Sequence, residues 1–400
     1  MEKWKELVFI AVITTGCKKP YSPPAIAAPG SYLVVEGVIN SGADSTFIKL
    51  SHTVNLSNKV IANPELHALL TVESDQNTSY PLTETTKGNY VSAGLNLDNS
   101  RKYRLRIKTA NNEQYLSDFV PVVNAPAINT VSYSIKNNGL ALYVSTHDPK
   151  NSTRYYRWDY RETWVFHSNF LSGYVSNGDT VIERNFNTNE IYQCWGNDTS
   201  STVVIGSSAK LATDVISNQP VTFVNSTSEK LGSKYSIIVR QYALTSDAFK
   251  FWTNLKTITE QLGSIFDAQP TQINGNIHSV TNPSEPVIGY LSAGSTSSKR
   301  IFITNQQLPA WAMTPAYPDC KLDSLYLYFL PPGGVVAVNQ ENEYFNYNKG
   351  AKYNTQLIPV GAIIVIPKIG PDHIIGHSGA LPACVDCTLR GTNKQPAFWK

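Results

Sequence analysis

The sequence predicts a mainly β protein. It reads as an immunoglobulin- or transthyretin-like β-sandwich over residues 31–126, then a larger β-rich region over 127–400 carrying one amphipathic helix at about 246–262. Short runs of period-two alternation follow one another from Tyr32 onward. Clusters of Asn, Asp, Ser, Gly and Pro separate those runs at the spacing of strand connections. The chain also has 22 Tyr, 14 Phe and 7 Trp against a charged fraction of only 16%. That balance supplies apolar surface to bury, which disfavours disorder, and lacks the charged faces that coiled coils need.

The first segment is an address. Lys3 and Lys5 precede the apolar run Leu7–Ile13, and Thr14, Thr15 and Gly16 lead into Cys17. This is the layout of an export signal over residues 1–16. Small residues before a cysteine resemble a bacterial lipobox, in which the cysteine sulfur takes a diacylglyceryl group and becomes the new N-terminus. Cys17 is therefore the expected lipidation site. Residues 17–30 form a Pro-rich tether, and at about 3.1 Å per residue a polyproline conformation would span roughly 40 Å. Beyond residue 13 no stretch reaches the apolar length of a membrane helix, and mean hydropathy is −0.21.

In the body, Tyr103, Leu105, Ile107 and Thr109 alternate with Arg104, Arg106 and Lys108. Asn111-Asn112 then turns the chain, and Tyr115 to Val120 returns. This is a hairpin with one dry and one wet face. Pro121 and Pro126 mark the end of the first module. The second region opens with a hairpin turning at Lys136–Gly139. In the next strand Tyr156, Trp158, Tyr160, Trp164 and Phe166 fall on one face, and Arg157, Asp159, Arg161 and Thr163 on the other. The aromatic face reads as core, with Trp158 and Trp164 kept as ligand-stacking candidates. The charged face reads as cross-strand ion pairs. Further strand candidates are 233–244, 285–292, 300–304, 323–330 and 361–367.

Ala248, Phe251, Trp252, Leu255, Ile258 and Leu262 form one helical stripe, expected to pack on a sheet. Thr245 is placed to cap it, Leu244 and Phe249 occupy staple positions, and Gly263 fits the stop. Residues 333–357 are Asn- and Tyr-rich and read as a long loop, in which Tyr344 and Tyr347 are candidate ligand contacts.

Apart from Cys17 the cysteines are Cys194, Cys320, Cys384 and Cys387. After export an even set favours disulfides, with the pairing open. The Cys384–Cys387 spacing leaves a zinc site or a redox motif as alternatives. His373 and His377 have metalloprotease-like spacing, but Gly376 lies between them and Pro371 precedes, so the segment reads as a loop. Gly376–Gly379 matches half of a nucleophile elbow, with Ala380 where the final Gly belongs. Glu260 and Asp267 flank the helix end without further support for chemistry. No phosphate loop, dinucleotide pattern or metal motif is found, so no catalytic residue, metal ligand or cofactor is assigned. The 33 Lys and Arg against 30 Asp and Glu, a net charge of +3, give no nucleic-acid footprint.

Several segments in order resemble the domain of unknown function (DUF) 4249 lipoproteins of Bacteroidota. They are Cys17 with Pro20-Tyr21, LVVEGVI at 33–39, RYYRWDYRETW at 154–164, Cys194-Trp195, KYSIIVRQYAL at 234–244, GSIFDAQPTQINGNI at 263–277, VIGYLSAGSTSSKRIFI at 287–303 and CVDCTLRGTNKQPAFW at 384–399. The resemblance implies an exported, lipid-anchored outer-membrane protein associated with a TonB-dependent receptor. It supplies no catalytic residue. The expected function is a non-enzymatic binding or accessory module. A structural or adhesive surface protein is the alternative, and a glycan-directed enzyme is a third reading. Lys18-Lys19 leaves open which face of the outer membrane the protein occupies.

Overall fold

The computed structural model describes residues 32–54, 63–260, 275–346, 356–366 and 373–400. The expected signal peptide, Cys17, the tether, Tyr347, Leu262, Gly263 and Asp267 lie outside them. The described chain is mainly β, with only a few short helices.

The first module contains β1 (Leu33–Asn40), β2 (Thr46–His52), β3 (Leu69–Ser74), β4 (Ser79–Thr86), β5 (Asn89–Ser92), β6 (Lys102–Lys108), β7 (Gln114–Ser117) and β8 (Val120–Pro121). All neighbours among them are antiparallel. Strand β4 pairs with β3 through residues 79–82 and with β5 through residues 83–86, so one continuous sheet bends over at β4 and encloses its own core. Leu33, Val35, Ile48, Leu50, Tyr90, Tyr103, Leu105, Ile107 and Tyr115 fill that core. The β6–β7 hairpin has the expected faces: Tyr103, Leu105, Ile107 and Thr109 are buried and the basic residues are half-exposed. Asn112 turns it with φ +67°, a left-handed position that Asn tolerates.

The second module opens with β9 (Ile128–Lys136), β10 (Gly139–His147), β11 (Tyr155–His167), β12 (Tyr174–Ser176), β13 (Val181–Glu183), β14 (Gln193–Thr199), β15 (Val204–Ser207), β16 (Val215–Asn225) and β17 (Lys234–Ala243). Helix α1 (Ser246–Glu260) follows, starting where the stripe placed it. Thr245 Oγ1 accepts from the Ala248 N–H at 3.2 Å, and Leu244 and Phe249 share one cluster with Tyr242 and Ala248, as the cap and staple require.

The chain then returns to the first module. Strand β18 (Ile277–Ser279) pairs with β7, and β19 (Ala293–Gly294) runs parallel to β1. Residues 285–292, expected as a strand, follow β1 by single backbone bonds instead, such as Val35 N–H to Ile288 O at 2.8 Å. Strand β20 (Thr296–Thr304) then pairs with β17. The sheet β14–β11–β17–β20 packs its inner face on the sheet β16–β10–β9, burying Trp158, Tyr156, Tyr235, Leu142 and Ile237.

At the C-terminal end, β21 (Asp323–Tyr326), β22 (Ile358–Val365) and β23 (His373–Ala380) form a three-stranded sheet, followed by the short helix α2 (Pro382–Val385). His373 and His377 therefore lie on a strand and not in a loop. Gly376 permits this, because a Cβ there would come within 2.1 Å of Leu325 O on the paired strand. The expected loop at 333–357 contains one π-helical turn, Asn342–Asn346. The four cysteines form two disulfides, Cys194–Cys387 and Cys320–Cys384, so the two ends of the Cys-x-x-Cys segment go to different partners. The zinc and redox alternatives each need free thiols and give way to these bridges.

Candidate functional site

Strand alternation gives β11 two unlike faces. The even residues 156, 158, 160, 162, 164 and 166 face inward, and Arg157, Asp159 and Arg161 face out. Register with β17 sets Tyr242 opposite Arg157 and Arg240 opposite Asp159. At this end the outer face of the sheet lies open to a cleft among the described residues. It looks across that cleft at Glu36, Phe47 and Lys49 on β1 and β2 of the first module. The cleft holds about 320 Å³ and adjoins a second hollow of about 550 Å³ that reaches the 199–203 segment and Trp252. Glu36, Lys49, Arg157, Asp159 and Arg240 line both.

Three kinds of contact order these side chains. Arg240 Nε donates to Asp159 Oδ1 at 3.2 Å, and the Tyr242 hydroxyl donates to Asp159 Oδ2 at 2.7 Å. Lys49 Nζ lies 2.8 Å from Glu36. The Arg157 guanidinium stands 4.3 Å from the Tyr242 ring centre and 4.4 Å from that of Trp252 on α1. Two aromatic faces fix its plane and strip part of its water. Burial opposes the charge on Arg240, but the Asp159 carboxylate beside it more than offsets this and raises its pKa. Burial, with the same carboxylate, pushes the Tyr242 phenol well up, so it stays a donor.

The charges do not cancel. Asp159 is matched by Arg240 and Glu36 by Lys49. Arg157 lines both spaces and the exposed Arg161 lines the second hollow, each with no carboxylate partner among the described residues. Two cations therefore remain for an anion. Further along the same face Arg300 covers the Phe398 ring at 3.6 Å, where the C-terminal segment closes over the sheet with Trp399.

The expected stacking residues do not gather here. Trp158 is 1% exposed and its Nε1 donates to Gln241 at 2.9 Å, so neither ring face is open; as a ligand-stacking candidate it is corrected to core. Trp164 packs against the Phe166–Cys194–Cys387 cluster, with the Lys230 ammonium 5.0 Å from its ring centre. Tyr344 packs on Leu325, Phe345 and Leu357 in the C-terminal sheet. The residues that line the cleft were legible only as a charged strand face. Nothing in the sequence placed Phe47 and Lys49 opposite them.

Two buried polar groups were also missed. Glu162 sits on the aromatic face of β11 and accepts from Lys230 Nζ and from the Tyr235 hydroxyl, each at 2.6 Å. His377 is 4% exposed, with Nδ1 2.7 Å from Glu341 and its ring 4.5 Å from that of Tyr174, while Nε2 is buried without a partner among the described residues.

The family described as Domain of unknown function (DUF4249) matches residues 18–300, a span that takes in both walls of the cleft. No curated protein matches the chain.

Proposed function

The chain belongs to the DUF4249 family, and on that premise we propose that it is a lipid-anchored envelope lipoprotein acting as a non-enzymatic binding or accessory module beside a TonB-dependent outer-membrane receptor. The observation that carries the binding reading is the cleft. The cleft and its adjoining hollow are walled by β1, β2, β11, β17 and α1, and two arginines lining them have no carboxylate partner among the described residues. Ordered donors aimed into an open, polar cleft favour recognition of an anion.

Export is supported by the two disulfides, since such bridges persist in oxidising compartments and are rare in the cytosol. Anchoring is supported by the lipobox-like run ending at Cys17. With two or three acyl chains at about 0.8 kcal/mol per buried methylene, that attachment would be firm.

Co-purification of the full-length lipidated protein from membranes tests the accessory role. A TonB-dependent receptor should be retained with it at native expression. Recovery of a solitary protein, together with loss of surface attachment on gene deletion and intact nutrient uptake, would favour the structural or adhesive role instead.

A further inference from the structure

We infer that the cleft between the two modules and the hollow that adjoins it together bind an acidic oligosaccharide through the carboxylates of its uronate residues, with Arg157, which lines both, and Arg161, which lines the hollow, as the anion anchors. This deepens the binding-module reading and rests on it.

The charge of the ligand follows from the cleft. Asp159 and Glu36 are already neutralised by Arg240 and Lys49. Arg157 is held by aromatic faces and, among the described residues, by no carboxylate. Such a guanidinium keeps its in-plane N–H edge free, and that edge matches a carboxylate in a forked pair. Arg161 lies four residues along the same strand face, about 13 Å away at strand rise. It is exposed, and no ion pair among the described residues engages it. Two anchors at that separation suit a chain with charges repeated along it more than one small anion.

The neutral surroundings point to sugar. Phe47 is 59% exposed beside the paired charges, an apolar face on which a pyranose ring can lie. Ser201 and Thr202 are exposed along the adjoining hollow, with hydroxyls that can serve ligand hydroxyls. The cleft is walled by the flat face of β11 and β17, whose backbone groups are engaged by β15, β14, β20 and each other. A peptide therefore cannot bind here by adding a strand, which disfavours an acidic polypeptide.

The test is isothermal titration of the full chain with tetra-galacturonate and with its fully methyl-esterified form, which keeps the sugar and removes the charge. The free acid should bind, with affinity falling as ionic strength rises, and the ester should not. Arg157→Ala should weaken binding roughly tenfold or more. Arg161→Gln should do the same, and because it alters an exposed side chain it separates lost binding from lost folding. Equal binding of the ester, unchanged affinity in both variants, no binding of the free acid, or tighter binding of tetra-glutamate or inorganic phosphate would each overturn the assignment. These outcomes are independent of co-purification with a receptor, so the ligand class can fail while the accessory role stands.

Discussion

Replacing Lys230 with Met should destabilise the fold more than its partly exposed position suggests. Its ammonium lies 2.6 Å from Glu162 and 2.9 Å from Asp198, while the Glu162 side chain is only 5% exposed. At an effective dielectric near 20 the Glu162–Lys230 attraction is about 6 kcal/mol. Desolvating the two ions costs several kcal/mol each, so the intact pair is close to neutral overall. Removing one partner is different, because it leaves a buried carboxylate with only the Tyr235 hydroxyl. The expected loss is about 3 kcal/mol, the lower end of the usual 3–5 because that hydroxyl remains. Glu162→Gln in the same background should restore much of it. Urea unfolding of the two single variants and the double variant gives the coupling, expected above about 1 kcal/mol. A deficit under about 1 kcal/mol, or a coupling near zero, would refute this account of the pair.

The other expectations concern stability. Breaking Cys194–Cys387 by Cys387→Ser with Cys194→Ser should cost up to about 5 kcal/mol, from chain entropy over a separation of 193 residues, read as a fall in melting temperature. Gly37 has φ +146°, and a Cβ there would sit 2.3 Å from Phe47 O, so Gly37→Ala should cost about 1–3 kcal/mol in urea unfolding. Asp148 is buried, which raises its pKa, but the Ser152 hydroxyl and the N–H groups of Lys150, Ser152 and Thr153 outweigh this and bring it to about 2. A depressed acid stabilises the fold above its unfolded pKa and loses that contribution as pH falls through the folded value. The wild type should therefore lose on the order of 1–2 kcal/mol between about pH 4 and pH 2, and Asp148→Asn should flatten that part of the profile.

Elements whose signal is local were legible in the sequence. The β6–β7 hairpin, the aromatic face of β11 and the capped start of α1 are each fixed by neighbours within a few residues, and the structure has them where periodicity put them. Oxidation of the cysteines was legible from their even number together with the expectation of export; their pairing was not, because separations of 193 and 64 residues leave no local trace. The return of residues 277–294 to the first module was hidden for the same reason. There the contacts are a three-residue strand and a two-residue parallel pairing, too short to carry a pattern. Strand β23 was missed because Gly376, read with Pro371 as a sign of a loop, instead permits close approach to Leu325 on the paired strand. The cleft was half visible: Arg157, Asp159 and Arg161 were read as cross-strand pairs, and among the described residues only Asp159 makes one, with Arg240. Arg157 escaped that reading because its partners are rings from another strand and a helix.

The proposed role requires that this chain be held at a membrane by its N-terminus. Mass spectrometry of the protein extracted from its native membrane reports that directly. The predicted N-terminal fragment begins at Cys17 and carries the added mass of a diacylglyceryl group and an amide-linked acyl chain. A fragment beginning at an intact Met1, or one with an unmodified thiol at Cys17, would contradict it.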